Sequence, residues 1–290
     1  MSIRLSNIDA RMNVFTTRKS LNEALASLKE AKKSVGFVPT MGALHEGHLA
    51  LVKRALSESD TVVVSIFVNP TQFNNMQDLD KYPRMLQADV DLLHSIGDVL
   101  VFAPSVEEVY PENDSYTPLD LEGIDNVMEG EFRPGHFQGV VHVVRNLFQI
   151  VQPDQAYFGL KDFQQVAVIR LLTKKYNFPI QIIACPTLRE TNGLAMSSRN
   201  LRLTEKERED ALIIIQTLKY IQSLKATKTP KEAKELAMEY FSNGKLRLEY
   251  LEIVNGANLK SLENEWNEYT VVCLAAFCGA VRLIDNLELV

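Results

Sequence analysis

Two histidines three positions apart, His45 and His48, stand directly after an apolar run and a Pro/Gly turn. The stretch reads Gly36-Phe37-Val38-Pro39-Thr40-Met41-Gly42-Ala43-Leu44-His45-Glu46-Gly47-His48-Leu49. This order predicts a strand, a turn, and a helix with both imidazoles at its mouth. A helix N-terminus carries unpaired N–H groups and about half a positive charge, so it attracts phosphate. Residues three apart share a helix face. Two imidazoles aimed there suit nucleotide chemistry, donating to phosphate or carboxylate oxygens as charge builds. Spacing alone also fits a plain helix start with solvated or core histidines. Zinc fits less well: the metalloprotease pattern needs histidines at i and i+4 with Glu between them, and no Cys is close by in the sequence.

Four further segments carry polar groups of useful type. Asn69-Pro70-Thr71-Gln72-Phe73 follows a second apolar run, and Gln72 can donate to and accept from a hydroxy acid. Asn-Pro is equally a common turn starter. Glu129-Gly130-Glu131-Phe132-Arg133-Pro134-Gly135-His136 reads as a loop with Glu129 and Arg133 as candidates. Gly159-Leu160-Lys161-Asp162 offers close backbone approach at Gly159 and a point charge for phosphate at Lys161. There Asp162 reads first as a helix N-cap. Met196-Ser197-Ser198-Arg199-Asn200 groups two hydroxyls and a guanidinium, a compact set of phosphate donors, though by composition it is any polar loop.

The elements that must position these groups follow from periodicity. Val35–Val38, Val62–Val68, Val99–Phe102, Ala156–Phe158 and Ile180–Ala184 read as five strands. Val62–Val68 is β-branched and continuous, as expected of a strand buried on both faces. Between the strands, Glu46–Ser57, Asp89–Ile96, a valine-striped segment from Val140 to Val151, and Asp162 to about Lys175 read as helices. On the valine-striped helix, His142, Arg145, Asn146 and Gln149 oppose the stripe and read as a solvated face. Strands alternating with helices predict an α/β fold, a Rossmann-like doubly wound parallel sheet, with ligands outside the carboxyl ends of the strands. After residue 185 the pattern changes. Thr204-Glu205-Lys206-Glu207 predicts a capped long helix, Thr229-Pro230 opens another, and three strands follow. The expectation is a nucleotide- and substrate-binding domain at 1–185 and a smaller C-terminal α+β lid domain at 186–290.

The chain has 290 residues and a formal charge of −6, with no electrostatic footprint for nucleic acid or an anionic membrane. Any bound phosphate must be held by local positive groups. Cys185, Cys273 and Cys278 lie in apolar stretches, an odd set that reads as buried thiols in a reducing compartment. No apolar run spans a bilayer, and no signal core or lipidation motif is evident. A cytoplasmic protein is expected.

Together these residues resemble one family over nearly the whole chain: pantothenate synthetase, or pantoate–β-alanine ligase. Pro39–His48, Phe67–Phe73, Gly159–Gln165 and Gly193–Asn200 carry the resemblance in order and spacing, and Arg282-Leu283-Ile284-Asp285-Asn286 adds to it. The two-histidine motif alone would indicate only the wider nucleotidyltransferase superfamily. The resemblance implies adenylation of (R)-pantoate by ATP, then attack of β-alanine on the pantoyl-adenylate. It places Met41, Gly42, Ala43, Leu44, His45, Glu46, Gly47 and His48 on ATP, with Gly159, Leu160, Lys161, Asp162 and Leu188. Met196, Ser197, Ser198 and Arg199 would close over the phosphates. His45, His48, Lys161 and Arg199 would be catalytic, with His48 where the family has its proton donor. Phosphate charge stabilisation is the simpler physical role for it. Gln72 and Gln165 would hold pantoate, with Asn69, Tyr82, Glu129 and Arg133 as further substrate positions. Mg²⁺ would travel with ATP, ligated mostly by phosphates, with Asp89 as a protein contact. A homodimer is the family expectation. Leu160 and Asn192 depart from a usual Glu and Asp. Competing readings are a plain nucleotidyltransferase and a silent nucleotide-binding regulator.

Overall fold

Runs of valine and phenylalanine become the strands, and the segments with 3.6-residue periodicity become the helices that cover them. The computed structural model describes residues 13–72, 82–112 and 114–289. In chain order its elements begin β1 Val14–Phe15, α1 Arg18–Glu30, β2 Val35–Thr40, α2 Glu46–Glu58, β3 Thr61–Ile66, α3 Leu86–His94 and β4 Leu100–Phe102. They continue α4 His136–Val151, β5 Gln155–Gly159, α5 Phe163–Lys175, β6 Gln181–Cys185, α6 Glu205–Asp210, α7 Ile213–Leu224 and α8 Pro230–Ser242. Strands β7 Arg247–Asn255, β8 Thr270–Cys278 and β9 Val281–Leu289 end the chain. Among the described residues, no helix is long and apolar enough to cross a membrane.

The chain divides into two compact units. One takes described residues from Met1–Leu121, Arg133–Gly159 and Val168–Cys185; the other takes Glu122–Phe132, Leu160–Ala167 and Pro186–Val290.

The first unit holds a six-stranded sheet in the order β1-β4-β3-β2-β5-β6, with every pair parallel. The expected five strands are present, and a two-residue edge strand, β1, is added. Helix α1 is a second addition to the expected elements. Thr17 caps it, and Leu21 and Leu25 on its inner face are fully buried. Alternation along the strands divides the core. Val38, Val62, Val64 and Val101 pack with Leu49, Val52 and Val90 from α2 and α3. Phe37, one residue from Val38, instead meets Phe148 of α4 edge-on at 6.3 Å. The sheet is therefore covered on both faces, which a parallel sheet requires. Each such buried side chain contributes about 1.5–3 kcal/mol.

Strand β2 lies between β3 and β5, so the strand order reverses there. A crevice at such a switch point, outside the strand ends, is where open α/β sheets bind ligands. The segment from Met41 to His48 leaves the end of β2 at that point.

The second unit pairs β7, β8 and β9 in an antiparallel sheet. Its core joins Ile214, Leu218 and Ile221 of α7 and Phe241 of α8 to Val272, Leu274 and Leu283. The long helix expected from Thr204 is interrupted. Its capping box is present, but α6 ends at Asp210 and α7 starts at Ile213. Residues 122–132 and 160–167 also belong to this unit.

Candidate active site

His45 is the N-cap of α2, and its Nδ1 accepts from Gly47 N at 3.1 Å. His48 completes a capping box, its Nδ1 accepting from His45 N at 3.3 Å. A helix donor that usually finds Ser, Thr, Asp or Asn here finds imidazole nitrogen. The consequence is chemical: a ring accepting through Nδ1 carries its proton on Nε2. Both rings are thus set as Nε2–H donors, with centroids 4.1 Å apart.

The turn before α2 is held by Asp89. Its buried carboxylate accepts from Ala43 N at 2.9 Å and Leu44 N at 2.8 Å. Gly42 and Ala43 both sit at positive φ, +81° and +50°. Ala43 pays roughly 1–2 kcal/mol for that conformation, which persists because Asp89 clamps it. Both Asp89 oxygens serve the turn, so the geometry gives it a holding role. Among the described residues, no three His, Cys, Asp or Glu side chains gather as a metal site.

Asn69 is similarly engaged. Only 1% exposed, it donates to Gln72 Oε1 at 3.0 Å and to Gly139 O at 3.3 Å. Its Oδ1 accepts from Thr71 N, Thr71 Oγ1 and Tyr110 OH. Asn69 therefore orients Gln72. With Gln72 Oε1 accepting, Nε2 is the end that suits an anionic oxygen. Arg133 Nη2 and the His136 ring lie 3.4 and 3.2 Å from Gln72 O. Gly139 lets α4 approach: a Cβ there would stand 2.3 Å from Thr71 O. Tyr82 is half-buried before α3.

The face of α4 that read as solvated is a polar cluster. Asp114 meets His142 Nε2 at 2.5 Å, Arg145 Nη1 at 3.1 Å and Asn146 Nδ2 at 2.8 Å. Tyr116 stacks on His142, and the Tyr110 ring lies 4.6 Å from it. Burial pushes Asp114 up, but the Asn146, His142 and Arg145 hydrogen bonds outweigh it and hold the carboxyl at about 2. Burial pushes the Tyr110 phenol up to about 12, so it stays a neutral donor to Asn69. Only Gln149 of that face is exposed. An acidic partner at Asp114, distant in sequence, was the missing signal.

In the second unit a small cleft is lined by Lys161, Ser197, Arg199, Asn200, Arg282 and Asp285, among others. Lys161 belongs to the 3-10 turn Leu160–Asp162 that runs into α5, and its Nζ lies 3.8 Å from Asp162 Oδ1. Ser197 caps the 3-10 turn Ser198–Arg202, its hydroxyl accepting from Arg199 N. Met196 N donates to the carbonyl of Leu188, whose side chain is exposed. Asn200 Oδ1 is a buried acceptor with no partner among the described residues. Gln165 is half-buried in the first turn of α5. Asn192 Oδ1 accepts from Leu194 N, a bond Asp would also make. Leu160 packs on the apolar cluster of this unit.

Glu129 is engaged within the second unit. Arg282 grips both its oxygens at 2.7–2.8 Å, and Tyr250 OH donates to it at 2.9 Å. Its backbone N–H donates to Gln164, which in turn ties Ile124 and Val127. The carboxylate ties Tyr250 of β7 to Arg282 of β9, and the backbone N–H holds Gln164.

A doubly wound parallel sheet with a histidine-capped helix at its switch point, and a cation-lined cleft in a smaller α+β unit, defines a class of α/β enzymes built to bind phosphorylated ligands. Comparison with known proteins narrows it. Residues 13–288 match the family model for pantoate-beta-alanine ligase. The pantothenate synthetase of Bacteroides fragilis is 52% identical over 284 residues, 96% of this chain and 99% of that protein. That of Porphyromonas gingivalis is 47% identical over 280 residues, 96% and 99% of the two chains. The solved pantothenate synthetase of Thermus thermophilus is 42% identical, with a TM-score of 0.89, covering 95% of this chain and 99% of that one. The pantoate-beta-alanine ligase of Francisella tularensis, solved with beta-gamma ATP and beta-alanine, is 39% identical with a TM-score of 0.78, covering 95% and 97%. This chain belongs to the pantoate–β-alanine ligase family and is a ligase.

Proposed function

We propose that the protein condenses (R)-pantoate with β-alanine at the expense of ATP, giving pantothenate, AMP and pyrophosphate through a pantoyl-adenylate. The observation that carries this reading is the capping box of His45 and His48, which sets two Nε2–H donors at a helix N-terminus. A carboxylate is a poor electrophile until one oxygen is made a good leaving group. In the first step a pantoate carboxylate oxygen attacks the α-phosphorus of ATP in line, and the bond to pyrophosphate breaks. Such a step needs positioning and charge stabilisation more than a protein nucleophile. The two imidazoles donate to phosphate oxygens as charge builds, and neutral rings do this without giving up a proton. Lys161 and Arg199 offer countercharge to ATP phosphates, and Ser197 and Ser198 add hydroxyl donors. Gln72 and Gln165 hold pantoate. In the second step the β-alanine amine attacks the acyl carbon, a proton leaves the nitrogen, and AMP departs.

Mg²⁺ enters as part of the substrate MgATP, ligated chiefly by the phosphates. The expected homodimer is tested by light scattering of the purified chain.

Pyrophosphate release from ATP tests the reading. It should require pantoate, proceed without β-alanine for about one turnover, and become continuous, with matching AMP, once β-alanine is added. Release independent of pantoate, or a stable dinucleotide product, would point to a plain nucleotidyltransferase.

A further inference from the structure

Arg282-Leu283-Ile284-Asp285-Asn286 lies on β9, and its last two side chains are polar yet 4% and 5% exposed. Burial at that level is costly unless every polar group finds a partner. The partners are specific. Asn286 Nδ2 donates its two hydrogens to Leu160 O at 2.8 Å and Lys161 O at 2.9 Å. Asn286 N donates to Asp285 Oδ1 at 2.8 Å. Asp285 is held by the Arg189 fork, Nη1 to Oδ2 at 2.6 Å and Nη2 to Oδ1 at 3.0 Å. The same guanidinium donates to Asn286 O at 3.0 Å and Gly193 O at 3.1 Å. Arg189 and Ala195 form a β-bridge in the hairpin that leads directly to Ser197 and Arg199. Burial pushes the Asp285 carboxyl up, and Arg189 and Lys161 pull it back toward the charged form.

We propose that Asn286 is the positioning residue for Lys161, and that the Asp285–Arg189 fork fixes the spacing between Lys161 and the loop bearing Ser197 and Arg199. The carboxamide Nδ2 spends both hydrogens on backbone, so it acts through Lys161 and not on substrate. Two bonds to consecutive carbonyls fix both the position and the rotation of the 3-10 turn, and hence the direction in which the Lys161 side chain leaves. The proposal rests on the reading of Lys161 as a contact to ATP phosphate.

The test is a double-mutant cycle on the full chain, read as pantoate-dependent pyrophosphate release. Asn286→Ala removes both bonds without adding charge; Asn286→Asp sets an oxygen against two carbonyl oxygens and is the harsher variant. If the latter does not fold, Asn286→Ala carries the test. In Asn286→Ala, kcat/KM for ATP should fall roughly 10–100-fold, while KM for pantoate stays within about twofold. In a Lys161→Ala background the same change should cost less than about threefold, because residues acting through one group are non-additive. A merely structural role would lower the melting temperature and the active fraction, leave both KM values unchanged, and add fully to Lys161→Ala. Unchanged ATP kinetics in folded Asn286→Ala, or full additivity, would overturn the proposal. Absence of pantoate-dependent release in the wild type would instead defeat the reading of Lys161, and the proposal with it.

Discussion

Asp89→Asn separates a turn-holding role from a metal role. The Asp89 carboxylate accepts two backbone N–H groups, from Ala43 and Leu44, at 2.9 and 2.8 Å in a buried setting. Asparagine keeps one acceptor oxygen and turns an NH₂ toward the second N–H. One charge-assisted bond is lost, one buried donor loses its partner, and the remaining bond becomes neutral. Removing a buried partner costs about 1–3 kcal/mol, and weakening a charged bond to a neutral one about 1 kcal/mol more. The sum, about 2–4 kcal/mol, corresponds to a fall in Tm of roughly 3–7 °C for a chain of this size. Ala43 is then free to leave its positive φ, and the start of α2 with His45 and His48 shifts. Thermal melts and pyrophosphate release on the same sample, with Mg²⁺ varied, form the assay. The expected result is a lowered Tm and a lowered kcat that added Mg²⁺ does not restore. A wild-type Tm with activity rescued by excess Mg²⁺ would refute the turn-holding account and return Asp89 to the metal.

Other outcomes follow from the same geometry. His48→Gln keeps an acceptor for His45 N at the third helical position, so it should melt near wild type while losing about 10²–10³ in kcat; a folded variant with full activity would remove His48 from the chemistry. Gly139→Ala drives a Cβ into Thr71 O, so pantoate KM should rise before ATP KM does in steady-state kinetics. Unchanged kinetics for both substrates would show that the Asn69–Gln72 turn does not depend on this approach. Asp114→Ala deprives the part-buried Arg145 guanidinium of its carboxylate and should cost about 1–3 kcal/mol in urea unfolding. Because the Asp114 carboxyl is depressed in the folded state, its contribution is complete above pH 4 and is lost as pH falls toward 2. The wild type should lose more stability across that window than Asp114→Asn, and parallel curves would contradict the assignment.

The sheet was legible because parallel strands buried on both faces must be apolar throughout, as Val62, Val63 and Val64 are. Strand β1 was not, since two residues carry no period. Helix α1 could have been read from Thr17 and the spacing of Leu21 and Leu25. The break between Asp210 and Ile213 left no Pro or Gly in the sequence to mark it. Within the site, residue type did not reveal which polar atoms the protein itself engages. Asn69, Asp89 and Glu129 are each expected at a ligand, and each makes hydrogen bonds within the protein. What distinguishes a side chain that touches substrate from one that holds another side chain is its partner. For Asp89 that partner lies 46 positions away, and for Glu129 it lies 153 away. Asp114 shows the converse: a helix face with only polar residues is solvated unless a distant charge folds onto it.

The fate of an oxygen atom tests the central claim most directly. With both carboxylate oxygens of pantoate labelled with ¹⁸O, the enzyme is run with ATP and β-alanine and the products are weighed by mass spectrometry. Attack of the carboxylate on the α-phosphorus, followed by aminolysis at the acyl carbon, leaves one labelled oxygen in AMP and one in the pantothenate amide carbonyl. Unlabelled AMP, or label appearing in orthophosphate alongside ADP, would contradict a pantoyl-adenylate and, with it, the role of His45 and His48 as donors to the reacting phosphate.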